Sequence, residues 1–185
     1  MGLRHVLVGI AILFLLALVF YPWEKKEHHA HADFRVVFDG QRITFTDEKY
    51  MTGGSFLLHK FVHLHDHDGD VIHVHKKGIT LGDFFISLNF KLNSTCIVTD
   101  TNIPYCASDE NKLQMFVNGK ENIQFDRYEP QDLDRILIIY GGGSDIQKEI
   151  SLVTDKACIQ SGQCPGRGDP YNESMTCGPG SFCVE

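Results

Sequence analysis

The chain has 185 residues, enough for one domain with appendages, and 24 acidic against 17 basic residues give a formal net charge of -7. That balance argues against a nucleic-acid partner, because binding phosphates needs a basic patch and none is visible. Ten histidines and six cysteines are the unusual features of the composition.

The first feature in chain order is the apolar stretch Val6 to Tyr21, behind the basic start Met1-Gly2-Leu3-Arg4-His5. Its length lies between a signal-peptide core and a full membrane span. Phe20, Tyr21, Pro22 and Trp23 offer no small-x-small cleavage site and have the character of an interfacial aromatic belt. Residues 1–23 are therefore expected to form an uncleaved signal anchor, making the membrane a partner and leaving the rest of the chain outside the cytoplasm. All six cysteines follow the anchor, and in an oxidising compartment they read as a disulfide framework. The expected pairing is local: Cys96 with Cys106, Cys158 with Cys164, and Cys177 with Cys183. No C-x-x-C occurs, and the spacings do not fit a zinc knuckle. Asn93-Ser94-Thr95 and Asn172-Glu173-Ser174 are glycosylation acceptor sequences.

Residues 24–31 read as a histidine-rich linker containing His28, His29 and His31. Phe34, Val36 and Phe38 then alternate with Arg35 in the run up to Asp39-Gly40, with Ile43 and Phe45 beyond, which predicts a hairpin. His31 and Asp33 would share a face at the start of the first strand and are candidates for additional ligands or supporting carboxylates. Asp47 to Met51 reads as a turn or short helix, and Gly53-Gly54 as a break.

The segment His59 to His75, HKFVHLHDHDGDVIHVH, is the chemical centre of the sequence. His63 and His65, and again His73 and His75, form H-x-H pairs around a polar run. In a strand each pair puts two imidazoles on one face and Leu64, Ile72 and Val74 on the other. A three-residue Asp68-Gly69-Asp70 loop would set His65 opposite His73 and His63 opposite His75, with all four rings on one side. Imidazole suits Zn, Cu, Fe or Ni, and thiols locked in disulfides disfavour Cu(I). The candidate metal ligands are thus His63, His65, His73 and His75, with His31, His67 and Asp33 as additions, and the expected ion is Zn or Cu(II). Calcium is the rival for Asp66, Asp68 and Asp70. Val71 stands where a calcium loop needs glycine, and Lys77 where it needs a glutamate.

Beyond His75 the period changes. Thr80 and Asp83 form a variant capping box, and Leu81, Phe84, Phe85 and Leu88 recur at helical spacing. Asn89 to Asp109 reads as a cysteine-bearing insertion or short strand pair. Leu113 to Val117 is a strand leading into Asn118-Gly119, with Ile123 and Phe125 suggesting a short partner. Asp134 to Tyr140 reads as a central strand buried on both faces, ended by Gly141-Gly142-Gly143. Ile146, Ile150 and Val153 form a thin helical stripe leading into a tail too poor in apolar residues to fold without disulfides. The sequence therefore predicts an α+β fold, a sheet on one main helix over residues 32–143, with a disulfide-rich tail over residues 144–185.

Three segments carry a resemblance: Thr80-Leu81-Gly82-Asp83-Phe84-Phe85, Phe116-Val117-Asn118-Gly119-Lys120, and Asp132 to Tyr140. They resemble the helix, the VNG hairpin and the last strand of β-grasp domains, notably the transcobalamin-like group, over roughly Ala32 to Gly141. The resemblance implies a β-grasp-like mixed sheet. The histidine hairpin is no part of that pattern, so cobalamin binding is not carried over. The whole chain is also similar to small anchored, histidine-rich proteins of archaea and uncultured bacteria, some labelled disulfide isomerases. The expected function is metal binding for sequestration, delivery or sensing. The alternatives are a metal-dependent enzyme with an open histidine site, a thiol-disulfide exchange protein acting through Cys158 and Cys164, and a metal-free envelope interaction module.

Overall fold

The computed structural model describes residues 28–51, 59–143 and 145–170, with residues 2, 5 and 7 near the start. The expected anchor is thus almost wholly outside the described residues, as is the Cys177 to Cys183 pair. Among the described residues no helix is long and apolar enough to cross a membrane.

The fold is mixed α+β, as the sequence predicts. Strand β1 (Ala30–Phe38) forms its centre together with β10 (Arg135–Gly141), the two running parallel with Asp33 beside Arg135. β1 turns at Asp39 and Gly40, both with positive φ, into β2 (Gln41–Ile43), so the Asp-Gly hairpin forms where its residues require. The N-terminal half of the same β1 edge pairs with β4 (Val71–Val74), which carries β3 (Val62–His63) outside it. On the other side β10 pairs with β8 (Lys112–Val117), and β8 with β9 (Lys120–Glu121). The short partner after Asn118-Gly119 is therefore β9, ahead of the expected position. Ile123 is exposed, while Phe125 enters the core from a 3-10 turn.

Alternation divides the sheet into two faces. Ala30, Ala32, Phe34, Val36 and Phe38 of β1 join Ile136 and Ile138 of β10 in the main core. That core is closed by α1 (Leu81–Ser87), which starts at Thr80 in the expected capping box with Asp83 and buries Leu81, Phe84 and Phe85. A small sheet of β5 (Lys91–Leu92), β6 (Cys96–Val98) and β7 (Pro104–Cys106) follows, three strands where an insertion or a short strand pair was expected. The Cys96 to Cys106 disulfide joins β6 to β7. This sheet docks at the far end of β1, where Tyr105 stacks on Phe38 at 4.2 Å.

The opposite face carries odd-numbered β1 residues and is covered by the C-terminal segment. Val37, Leu137 and Ile139 meet Phe116 and Val153 in a second, smaller core, with Ile146 and Ile150 of α2 (Ile146–Ser151) packed against it. The tail up to residue 164 is thus part of the domain. Polar sheet residues fasten it. Arg35 donates to Glu149 of α2 at 2.8 Å, and Arg135 donates to the carbonyls of Val153 and Thr154. The buried Asp33 carboxylate receives Thr154 Oγ1, the Lys156 amide at 2.8 Å and the Ala157 amide at 2.9 Å, at the start of α3 (Ala157–Gln160).

Candidate functional site

The histidine face lies on this second side of the sheet, where β3, β4 and the start of β1 run together. β1 begins at Ala30, inside the stretch expected to be linker, so His29 and His31 continue the parity of Asp33 and reach the hairpin histidines. His31 pairs with His73 across β1 and β4, and His73 with His63 across β4 and β3, placing three imidazoles in a row across three strands. His65 and His75 flank that row along the chain.

The register corrects the expectation: His63 faces His73, a slip of two residues from the predicted pairing. The slip has an even count, so every side chain keeps its face. Its cause lies in the connection. The chain reverses at Asp66 and His67, both in the left-handed region, with the Asp68 amide donating to the His65 carbonyl. Asp68-Gly69-Asp70 then form a detour rather than the turn itself. Gly69 sits so close to Phe45 that an added Cβ would lie 2.6 Å from its carbonyl carbon. Asp68 and Asp70 are drawn to Lys156 Nζ, at 3.1 and 2.9 Å, and Arg42 also donates to Asp70. Two cations therefore occupy the acidic run for which calcium was the rival.

The rings form a continuous cluster. His65 Nε2 lies 3.1 Å from His73 Nδ1, and His75 Nε2 lies 3.3 Å from His63 Nε2. Ring centroids are 3.9 Å apart for His65 and His73, 4.8 Å for His63 and His75, and 4.8 Å for His31 and His73. His29 bridges His75 and His31 at 4.4 and 4.7 Å. His73 is fully buried and His31 nearly so. His65 Nδ1 meets the Asp66 carboxylate at 2.6 Å, a carboxylate contact of the kind that orients a ligating imidazole.

Two expected ligands are elsewhere. His67 is exposed at the turn, with Nδ1 directed to the Thr46 carbonyl at 3.4 Å, because its left-handed backbone takes it off the strand. Asp33 shares the face of His31 but spends its carboxylate on three donors of the C-terminal segment. Burial pushes its carboxyl above the usual range, against the pull of those hydrogen bonds. Burial also works against the charge of Lys156, and its bonds to Asp70 and Asp68 outweigh this and raise its pKa.

Sequence reasoning missed His29 as a member of the cluster, and also Asp132 and Ser161. The parity of His29, His31 and Asp33 could have revealed the first. Ser161 Oγ lies 2.9 Å from His31 Nδ1, and Asp132 Oδ1 receives the His31 amide at 3.0 Å. The expected Cys158 to Cys164 disulfide is formed and closes the loop that carries Ser161.

Among the described residues no three His, Cys, Asp or Glu side chains already converge on one ion-sized point. The chemistry on offer is that of close imidazole pairs. Two nitrogens of one tetrahedral zinc, each about 2.0 to 2.1 Å from it, stand about 3.3 Å apart. The two pairs have that spacing, with nitrogen meeting nitrogen directly in place of an ion. Comparison of the chain with protein-family models, with curated proteins and with solved structures finds no match in any of the three.

Proposed function

We propose that this chain is a metal-binding domain for Zn or Cu(II), with the ion held by imidazoles of the β3–β4 hairpin and the start of β1. The observation that carries the reading is the pair of nitrogen separations, 3.1 Å for His65 with His73 and 3.3 Å for His63 with His75. An ion entering either pair takes the place of the nitrogen–nitrogen contact once the rings turn to aim a lone pair from each at it, any proton on a ligating nitrogen passing to the other nitrogen of the same ring. Borderline ions are favoured because every donor in the cluster is nitrogen, while the four described cysteines are committed to disulfides. Those disulfides favour an oxidising compartment, in line with a membrane-anchored domain held outside the cytoplasm. The order β4-β1-β10-β8-β9, with its parallel central pair and one helix on the main face, supports a β-grasp-like reading of the fold.

The test is zinc and copper titration of the full chain in mild detergent at pH 7.5, purified without a histidine tag from an oxidising compartment. Saturable binding, weakened when His65→Ala and His73→Ala are combined and abolished when His63→Ala and His75→Ala are added, is expected. Absence of saturable binding by folded protein overturns the reading.

A further inference from the structure

The Nδ1 atom of His31 meets a partner far away in the chain, the Ser161 hydroxyl. Ser161 donates its hydroxyl proton to Asp132 Oδ1, which also receives the His31 main-chain amide. A hydroxyl has one proton, so with that proton on Asp132 the Ser161 oxygen at 2.9 Å can only accept from His31 Nδ1. Gln163 donates to the second oxygen of Asp132 at 3.1 Å, which fixes the carboxylate from the other side.

We propose that Ser161 and Asp132 are positioning residues that hold His31 as its Nδ1–H tautomer, so that Nε2 is the atom His31 offers to a metal ion. The ring carrying that nitrogen packs on His73 and His29, with centroids at 4.8 and 4.7 Å. An imidazole that donates one N–H to an oxygen while its other nitrogen faces an ion has the arrangement typical of a ligating histidine. The consequence for metal affinity rests on the metal-binding reading, whereas the tautomer does not. Because Ser161 and Gln163 lie inside the Cys158 to Cys164 loop, the C-terminal segment supplies the orienting half of a site whose imidazoles come from the N-terminal half.

The tautomer is read without metal, by long-range nitrogen–proton correlation on the full chain labelled with nitrogen-15. A protonated Nδ1 and an unprotonated Nε2 at His31 are expected. Ser161→Ala should give a mixture of tautomers and weaken zinc binding about 10- to 100-fold at unchanged stoichiometry. Ser161→Thr, which keeps the hydroxyl, should restore both. An Nε2–H tautomer in the unsubstituted chain overturns the proposal, as does a Ser161→Ala variant with unchanged tautomer and zinc affinity. If no zinc binds at all, the metal-binding reading fails alone, and the tautomer still decides the role of Ser161 and Asp132.

Discussion

Asp33→Ala is the substitution that most directly probes how the C-terminal segment is held over the second face of the sheet. Asp33 is 1% exposed and accepts from Thr154 Oγ1 and from the amides of Lys156 and Ala157. Removing the carboxylate strands two main-chain donors, at about 1 to 3 kcal/mol for each that stays buried. The Thr154 hydroxyl can rotate to another acceptor and adds little. Against this stands the relief of no longer burying a carboxylate, whose unfavourable sign is given by the upward shift of its pKa. The net expectation is a loss of about 2 to 4 kcal/mol. Urea unfolding at pH 7, followed by far-ultraviolet circular dichroism, measures it, and amide exchange at Lys156 and Ala157 locates it. A midpoint equivalent to less than about 0.5 kcal/mol of change, together with unaltered exchange at both amides, would refute the reasoning.

Gly69→Ala should cost about 1 to 3 kcal/mol, because the new methyl meets the Phe45 backbone at 2.6 Å and neither chain can yield without moving the hairpin loop. Thermal melting measures this, and a melting temperature equal to the parent's would mean that the loop is not pinned there. Replacing Cys96 and Cys106 together by alanine should cost about 2 to 3 kcal/mol for a sequence separation of 10. Zinc affinity should be untouched, since β1 separates His31 from the small sheet by about 23 Å of extended chain; a change in affinity would contradict that independence. Asp100 tests the acid side. Burial alone would raise its carboxyl, but hydrogen bonds from Lys49 and Tyr50 outweigh burial and hold it below the usual range. Its contribution is therefore fully present above the ordinary value of 3.8 and is lost as pH falls through the lowered one. Asp100→Asn should accordingly cost about 1 kcal/mol at pH 7 and progressively less on acidification, read from urea midpoints at several pH values. A difference independent of pH would contradict the assignment.

Those features of the fold that depend on neighbours in sequence are legible in the amino-acid order itself. The Asp39-Gly40 hairpin, the Thr80 and Asp83 box and the apolar run of β10 all follow from residues within one or two turns of each other. The hairpin register is not legible there, because an even slip leaves the alternation of His63, Leu64 and His65 unchanged and the pattern cannot distinguish the two pairings. What settles it is tertiary: the Phe45 backbone against Gly69 and Lys156 against Asp68 and Asp70. Asp33 illustrates the limit for the site. Beside two histidines it reads as a ligand, yet it serves Thr154, Lys156 and Ala157, more than a hundred positions away. Ser161 carries no local signal of its role at all, since a serine in a polar tail is ordinary until its partner across the sheet is known.

The parallel pairing of β1 with β10 has a consequence for when the histidine cluster is completed. Asp33 lies beside Arg135, and the Ser161 that orients His31 follows later still. A hairpin such as β3–β4 closes early because its partners are neighbours, but joining β1 to β10 must close a loop of about one hundred residues first, a slow step in any chain. During synthesis the imidazoles of the hairpin therefore emerge and can meet one another well before β10 and the C-terminal loop exist. An ion encountered at that stage would find flexible histidines without the fixed tautomer of His31, and the finished geometry becomes available only when the last part of the domain has docked.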